Sequence, residues 1–257
     1  MDMQRGIWTG ILDIFQKRMN TMLRDTAFKL INSSLNLIYP TSCPICQGNA
    51  DNFLTSPICK GCWEKIKPHT GHSCQICAKP LSEEYMEICA DCHNHMPHYS
   101  QALSFTTFEG TIREAIHLYK YSSLTRFADA ISSLMCNLEI PAADIMIPVP
   151  ITKKRLKERG FNQSLLLARK LGKKYNIPVQ FNLLAKVKET GQQALLKGTE
   201  RRLALKGAFK PTKKIDGQRI ILVDDVMTTG TTINECAKTL IEGGASMVYA
   251  IVAARTI

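Results

Sequence analysis

The sequence predicts an α/β domain built on a mostly parallel sheet flanked by helices, with a cysteine-rich metal module ahead of it. Three observations carry this. Strand-like and helix-like segments alternate over roughly the last 150 residues, the mark of βαβ construction. Eight of the ten cysteines fall into four C-x-x-C pairs, all within residues 43–92. The stretch that holds them, residues 38–98, has little apolar periodicity and needs a staple to fold.

In chain order, residues 1–37 come first. Ile7, Ile11, Ile14, Phe15, Met19, Met22 and Leu23 are spaced for an amphipathic helix, packed on its own protein or on a second copy. Asp2 and Asp13 break the apolar run and no small-residue cleavage site follows, so no secretory signal is expected. No stretch reaches the ~20 apolar residues that span a bilayer. The expected compartment is the cytoplasm, near the inner face of the membrane if the amphipathic segment rests on lipid.

Residues 38–98 carry the pairs Cys43/Cys46, Cys59/Cys62, Cys74/Cys77 and Cys89/Cys92. In a reducing compartment such pairs read as metal knuckles rather than disulfides. Four thiolates suit tetrahedral zinc at about 2.3 Å and leave no position open for water. Two structural Zn2+ ions are therefore expected. The knuckles are separated by 12, 11 and 11 residues, which does not fix how they pair. His69, His72, His93, His95 and His98 are not needed as ligands.

From about Ser100 the pattern changes. "QALSFTTFEG" reads as a strand ending at Gly110. "TIREAIHLYKYS" has helical spacing through Ile112, Ala115, Ile116 and Tyr119, and a second helix is expected over Thr125–Leu138. "DIMIPVP" is a buried strand closed by prolines. "NQSLLLARKLGKKY" is helical and "IPVQFNLLAK" strand-like. "GQRIILVDD" is a strand introduced by the Asp216-Gly217 turn, "TINECAKTLIEGG" a helix stopped by Gly243-Gly244, and "SMVYAIVAAR" a final strand. Cys136 and Cys236 fall in helical contexts, where packing is their expected role.

The net charge of +11 is unevenly spread. Between Lys153 and Lys214 stand 18 Lys/Arg against three Glu, while the rest of the chain is slightly acidic. Such a field suits phosphates, of a small ligand or of nucleic acid, and a solvated basic surface is the plain alternative.

The segment "ILVDDVMTTGTT" concentrates the chemistry. A strand ends on Asp224 and Asp225, at the edge of a parallel sheet where ligands bind. A helix then begins near Thr231 and Thr232, so backbone N–H groups and the helix dipole favour an anion there. Gly230 allows a tight turn, and the Thr hydroxyls add donors. Two acids would repel a phosphate unless they face other groups of the ligand. A phosphate at one end with a sugar diol beside it, or Mg2+ on a diphosphate, resolves the conflict.

"IILVDDVMTTGTT" resembles, at each of its thirteen positions, the phosphoribosyl diphosphate (PRPP) motif of type I phosphoribosyltransferases. "IPVPITKKRLKERGFNQSLLLAR", "KETGQQALLKGTERRLALKGAF" and the "CPIC…CKGCW…CQICAKPL…CADC" lead-in resemble the ComF family, a bacterial branch linked to competence and DNA uptake. The resemblance covers residues 35–257. It implies a type I phosphoribosyltransferase-like parallel sheet over residues 99–257 and an N-terminal double zinc ribbon over 38–98 with sequential pairing; the helical extension over 1–37 lies outside it and rests on its own apolar spacing.

It also implies roles. Asp224 and Asp225 would bind the ribose hydroxyls, with Asp225 stabilising ribose charge. Residues Thr228, Thr229, Gly230, Thr231 and Thr232 would cradle the 5′-phosphate. Lys154 and Arg155 would meet the diphosphate, which brings Mg2+. Arg159, Gly160, Phe161, Asn162 and Gln163 would support that loop or an acceptor pocket. Thr190, Gln193, Leu196, Glu200 and Arg201 would form a cover loop, where Ala204 departs from the usual Asn. Lys120 could face the ligand or solvent.

The implied activity is pentosyl transfer from PRPP to an acceptor that the sequence does not name. A PRPP-responsive regulator, or an accessory protein binding single-stranded DNA, is the alternative. The implied partners are PRPP, and single-stranded DNA or a competence helicase.

Overall fold

The structure is a computed structural model that describes residues 42–50, 52–83, 85–122, 124–189 and 203–257. The helix expected in residues 1–37 and the cover-loop residues Thr190, Gln193, Leu196, Glu200 and Arg201 lie outside the described residues. The chain divides into two compact units, Met1–Lys60 and Gly61–Ile257. No described helix is long and apolar enough to cross a membrane.

In the first unit the described residues form one knuckle turn and the approach to the next. Ser42 bridges Asn49. The Cys43 N–H donates to the Gly48 carbonyl at 2.7 Å, and the Gln47 N–H to the Cys43 carbonyl at 2.8 Å. A short helix α1 (Lys60–Trp63) follows.

In the second unit the same turn recurs. Ser73 bridges Pro80, the Cys74 N–H donates to the Lys79 carbonyl, and the Ala78 N–H to the Cys74 carbonyl. The residue after each second cysteine, Gln47 and Ala78, has positive φ (60° and 54°) without being glycine. That conformation costs about 1–2 kcal/mol per residue. A knuckle turned around a metal offsets such a cost. Helix α2 (Ala90–Asn94) carries the last cysteine, Cys92.

The sheet then begins. Strand β1 (Gln101–Thr107) leads to α3 (Gly110–Tyr121) and α4 (Phe127–Met135), then β2 (Ile145–Pro148), α5 (Lys153–Arg159) and α6 (Gln163–Tyr175). Strands β3 (Leu184–Lys186) and β4 (Phe209–Pro211) form a separate antiparallel pair, with Lys186 opposite Phe209. Strand β5 (Arg219–Met227), helix α7 (Thr231–Glu242) and strand β6 (Met247–Arg255) complete the domain.

The four long strands pair in the order β1-β6-β5-β2, all parallel. Strand β5 is central, so Ile220–Val223 are buried on both faces and read as an unbroken apolar run. Helix α3 buries Ile112, Ala115, Ile116 and Tyr119, a single stripe at helical spacing. The segment "IPVQFNLLAK" is only partly a strand: Val179 makes one bridge to Met146, and regular pairing starts at Leu184. The expected Thr125–Leu138 helix is shorter, Phe127–Met135.

Candidate functional site

Adjacent residues of a strand point to opposite faces of its sheet. That is what the two carboxylates at the end of β5 do. Asp225, 4% exposed, turns toward α3, where Lys120 Nζ lies 2.9 Å from its Oδ1. Asp224 turns the other way and accepts from Ser164 Oγ at 2.8 Å and from the Asp225 N–H at 2.9 Å. Ser164 is held there by Asn162, whose side chain caps α6 by accepting from the Ser164 N–H at 3.0 Å. Burial, and then the Asp225 charge, push the Asp224 carboxyl up to about 7, against the pull of Lys120, the Ser164 hydroxyl and the Asp225 N–H.

The loop beyond β5 turns at Gly230, which caps α7 with φ 76°. A Cβ there would stand 2.6 Å from Met227 Cε and 3.5 Å from the Tyr99 hydroxyl, so both backbone and space call for glycine. Thr229 Oγ1 and Thr231 Oγ1 lie 2.8 Å apart, and Thr231 is buried while Thr229 is exposed. The first N–H groups of the twelve-residue helix α7 thus open beside a cluster of hydroxyls.

The neighbouring loop, after β2, lies against the same strand end. The Val149 N–H donates to the Val223 carbonyl at 3.0 Å, and Asn162 Nδ2 to the Val149 carbonyl at 3.2 Å. Thr152 caps α5 by accepting from the Arg155 N–H at 3.3 Å. Arg155 is half-buried, whereas Lys154 is exposed. Gly160 ends α5 with φ 78°. Phe161 stacks 5.6 Å from Tyr119, whose hydroxyl donates to the Gln163 carbonyl.

Three residues stand out that sequence reasoning passed over. Ser164 reads as an ordinary helix-start residue. Lys186 on β3 lies 5.6 Å from the Phe209 ring centroid; burial, then the Arg155 charge, hold its ammonium below the ordinary value. Arg255 ends β6 and is 5% exposed. Lys120, undecided from sequence, is drawn into the acidic pair.

The cysteines gather sequentially. Cys43, Cys46, Cys59 and Cys62 place their sulfurs within 4.8 Å of one another, and so do Cys74, Cys77, Cys89 and Cys92. All four thiols of the second group are buried. Burial raises the Cys74 thiol, but N–H groups of Cys89, Cys77 and Ile76 outweigh it and bring it down to about 7. Burial wins at Cys77 and Cys92, whose thiols are pushed up; four closely set cysteines with no histidine among them fit structural zinc.

A double zinc ribbon domain is matched over residues 34–93 and a phosphoribosyl transferase domain over residues 159–256. Competence protein ComFC of Bacillus subtilis (strain 168) is 30% identical over 206 residues, 75% of this chain and 82% of that protein. The chain belongs to the ComF family. Another ComF relative, competence protein F of Haemophilus influenzae, is 30% identical over 213 residues, 77% of this chain and 90% of that one. Among solved structures, glutamine phosphoribosylpyrophosphate amidotransferase from B. subtilis aligns with a TM-score of 0.36 and 18% identity over 50% of this chain and 26% of that chain. In ComF terms, the two cysteine clusters fall within the double zinc ribbon and the β5–α7 loop within the phosphoribosyl transferase domain.

Proposed function

We propose that this ComF protein binds PRPP with Mg2+ at the C-terminal ends of β2 and β5, and transfers its phosphoribosyl group. The observation that carries the reading is the divergence of Asp224 and Asp225 beside the Gly230 turn. A diol lying across the strand end can donate to both carboxylates, while a 5′-phosphate meets residues 228–232.

Bond breaking at the ribose C1 leaves positive charge on the sugar and negative charge on the departing diphosphate. Asp225, and Asp224 once ionised, favour the first. Arg155 and Lys154 favour the second, Arg155 through its planar fork. Mg2+ carried by the diphosphate supplies further counter-charge. Ser164 and the Asp225 N–H hold Asp224 in place before the ligand arrives. Lys120 must yield part of its contact with Asp225 for the diol to approach. Thr190, Gln193 and Arg201 would close over the ligand.

We place this activity in DNA uptake, on the strength of family membership. The basic helix α5 supports a single-stranded DNA or helicase partner: five of its seven residues are Lys or Arg and none is buried. The proposed working site is the cytoplasm, near the inner face of the membrane if residues 1–37 rest on lipid. The domain limits carried with this reading are residues 1–37, 38–98 and 99–257.

The test is a calorimetric titration with PRPP and Mg2+, followed by a scan of nucleobase and amide acceptors for diphosphate release. Micromolar binding with release supports transfer. Binding without release from any acceptor supports a PRPP-responsive regulator. No binding removes the reading.

A further inference from the structure

The second cysteine cluster and the phosphate loop are fastened together by one side chain. We propose that Arg255 is a positioning residue that makes the shape of the phosphate loop depend on the metal-loaded second ribbon. The inference deepens the PRPP reading and rests on it for the identity of the ligand.

Arg255 is buried, and no carboxylate pairs with it among the described residues. Its guanidinium is shared between two places instead. Toward the ribbon, Nε donates to the Cys77 carbonyl at 3.0 Å, and Nη2 lies 3.8 Å from Cys77 Sγ. Toward the loop, Nη1 donates to the Met227 carbonyl at 3.1 Å, to the Thr228 carbonyl, and to the Thr256 carbonyl at 2.9 Å.

Two consequences follow from elementary geometry and charge. In a planar trans peptide the C=O and the next N–H point in opposite directions. Drawing the Met227 and Thr228 carbonyls onto Arg255 therefore turns the N–H groups of Thr228 and Thr229 away from the ribbon. One guanidinium sets the orientation of the two peptides that open the phosphate cradle. Further, four thiolates around Zn2+ leave a centre that is formally negative. The buried cation therefore lies beside its counter-charge when the metal is bound.

A second contact runs the same way by a different route. The chain leaving Cys92 passes directly under the loop. Tyr99, buried, sets its hydroxyl 3.5 Å from where a Gly230 Cβ would stand. The His98 N–H donates to Asn234 Oδ1 at 2.7 Å, in the first turn of α7. The loop is thus gripped at Thr228 by Arg255 and at its helix end by residues 98–99. One grip runs from β6 through Arg255 to Cys77 and the other comes from the segment after Cys92, so both tie the loop to the second ribbon.

Hydrogen exchange of the full chain tests this without any ligand. In the zinc-loaded protein the amides held by the loop's own carbonyls, Asn234 on Gly230 at 2.9 Å and Thr256 on Met227 at 3.1 Å, should be protected. Arg255→Lys, which keeps the charge but loses the fork, should speed their exchange about tenfold or more, with β5 amides 221–223 unchanged. Partial chelation of the wild-type protein should do the same. Unchanged exchange at the Asn234 and Thr256 amides under both treatments overturns the proposal.

Calorimetry supplies the ligand arm. If wild-type protein binds PRPP with Mg2+, Arg255→Lys should bind at least tenfold more weakly while retaining two zinc ions. By reciprocity, PRPP should then tighten zinc binding, so that more chelator is needed to strip the metal at equilibrium, in wild type and not in the variant. Equal affinity and PRPP-independent zinc release would overturn the coupling. Failure of wild type to bind PRPP would overturn the reading of the ligand, and leaves the exchange result to decide on Arg255.

Discussion

Lys120 Nζ stands 2.9 Å from Asp225 Oδ1, although the lysine is 24% exposed at its side chain and the aspartate only 5%. The pair neutralises a carboxylate at the buried end of the central strand. It also engages the oxygen that a hydroxyl of the proposed ligand would seek.

Removing that partner strands the carboxylate. Lys120→Met should cost about 3 kcal/mol, the low end for a broken buried pair because the lysine is partly solvated. The double variant Lys120→Met/Asp225→Asn should recover most of the loss. Urea unfolding of the two variants measures both. A double variant no more stable than Lys120→Met would mean the pair is not coupled.

Asp224 should show the opposite sign. Its carboxyl is raised from 3.8 to about 7, so between these values the folded protein holds a proton that the unfolded chain has released. This contribution to stability falls as pH rises through that window and is absent above it. Asp224→Asn should therefore raise the melting temperature at pH 8 by a few degrees, at about 2–4 °C per kcal/mol recovered. The difference from wild type should shrink toward pH 4. A variant less stable than wild type at pH 8 contradicts the assignment of strain to this carboxylate.

Gly230→Ala should destabilise by about 1–2 kcal/mol through backbone strain at φ 76°. Met227 Cε can move aside, so the fold should survive. Inorganic phosphate should bind the variant markedly more weakly than wild type. Equal phosphate affinity in the two proteins would place the anion elsewhere.

Much of this was legible in the sequence, and the limits have physical causes. Ile220–Val223 announced a strand buried on both faces, and the acids followed by Thr-Thr-Gly-Thr-Thr announced the turn into α7, because each feature is local. The four C-x-x-C pairs were equally plain, but their pairing was not, since similar gaps permit more than one arrangement. Here the fold supplies the answer by bringing the sulfurs together sequentially. The contacts to Ser164, Lys186 and Arg255 cross long stretches of chain, and no periodicity encodes them. Arg255 in particular closes an apolar strand, where an arginine reads as a surface charge. Strand β3 escaped definition because its segment lacks the alternation of a half-buried strand.

Metal analysis of the purified full chain should give two zinc ions, with a strong chelator lowering stability in proportion to zinc removed. Zinc sites of this kind contribute about 10–16 kcal/mol to small folds. Stability independent of zinc content would contradict a structural role.

The central claim is that paired carboxylates and a glycine turn hold the ribose and phosphate of PRPP. The measurement closest to it is calorimetric titration of PRPP with Mg2+ into wild type and into Asp224→Asn/Asp225→Asn. The account predicts saturable binding to the first and no detectable binding to the second, with an unchanged circular dichroism spectrum. Equal affinity for both proteins would contradict it.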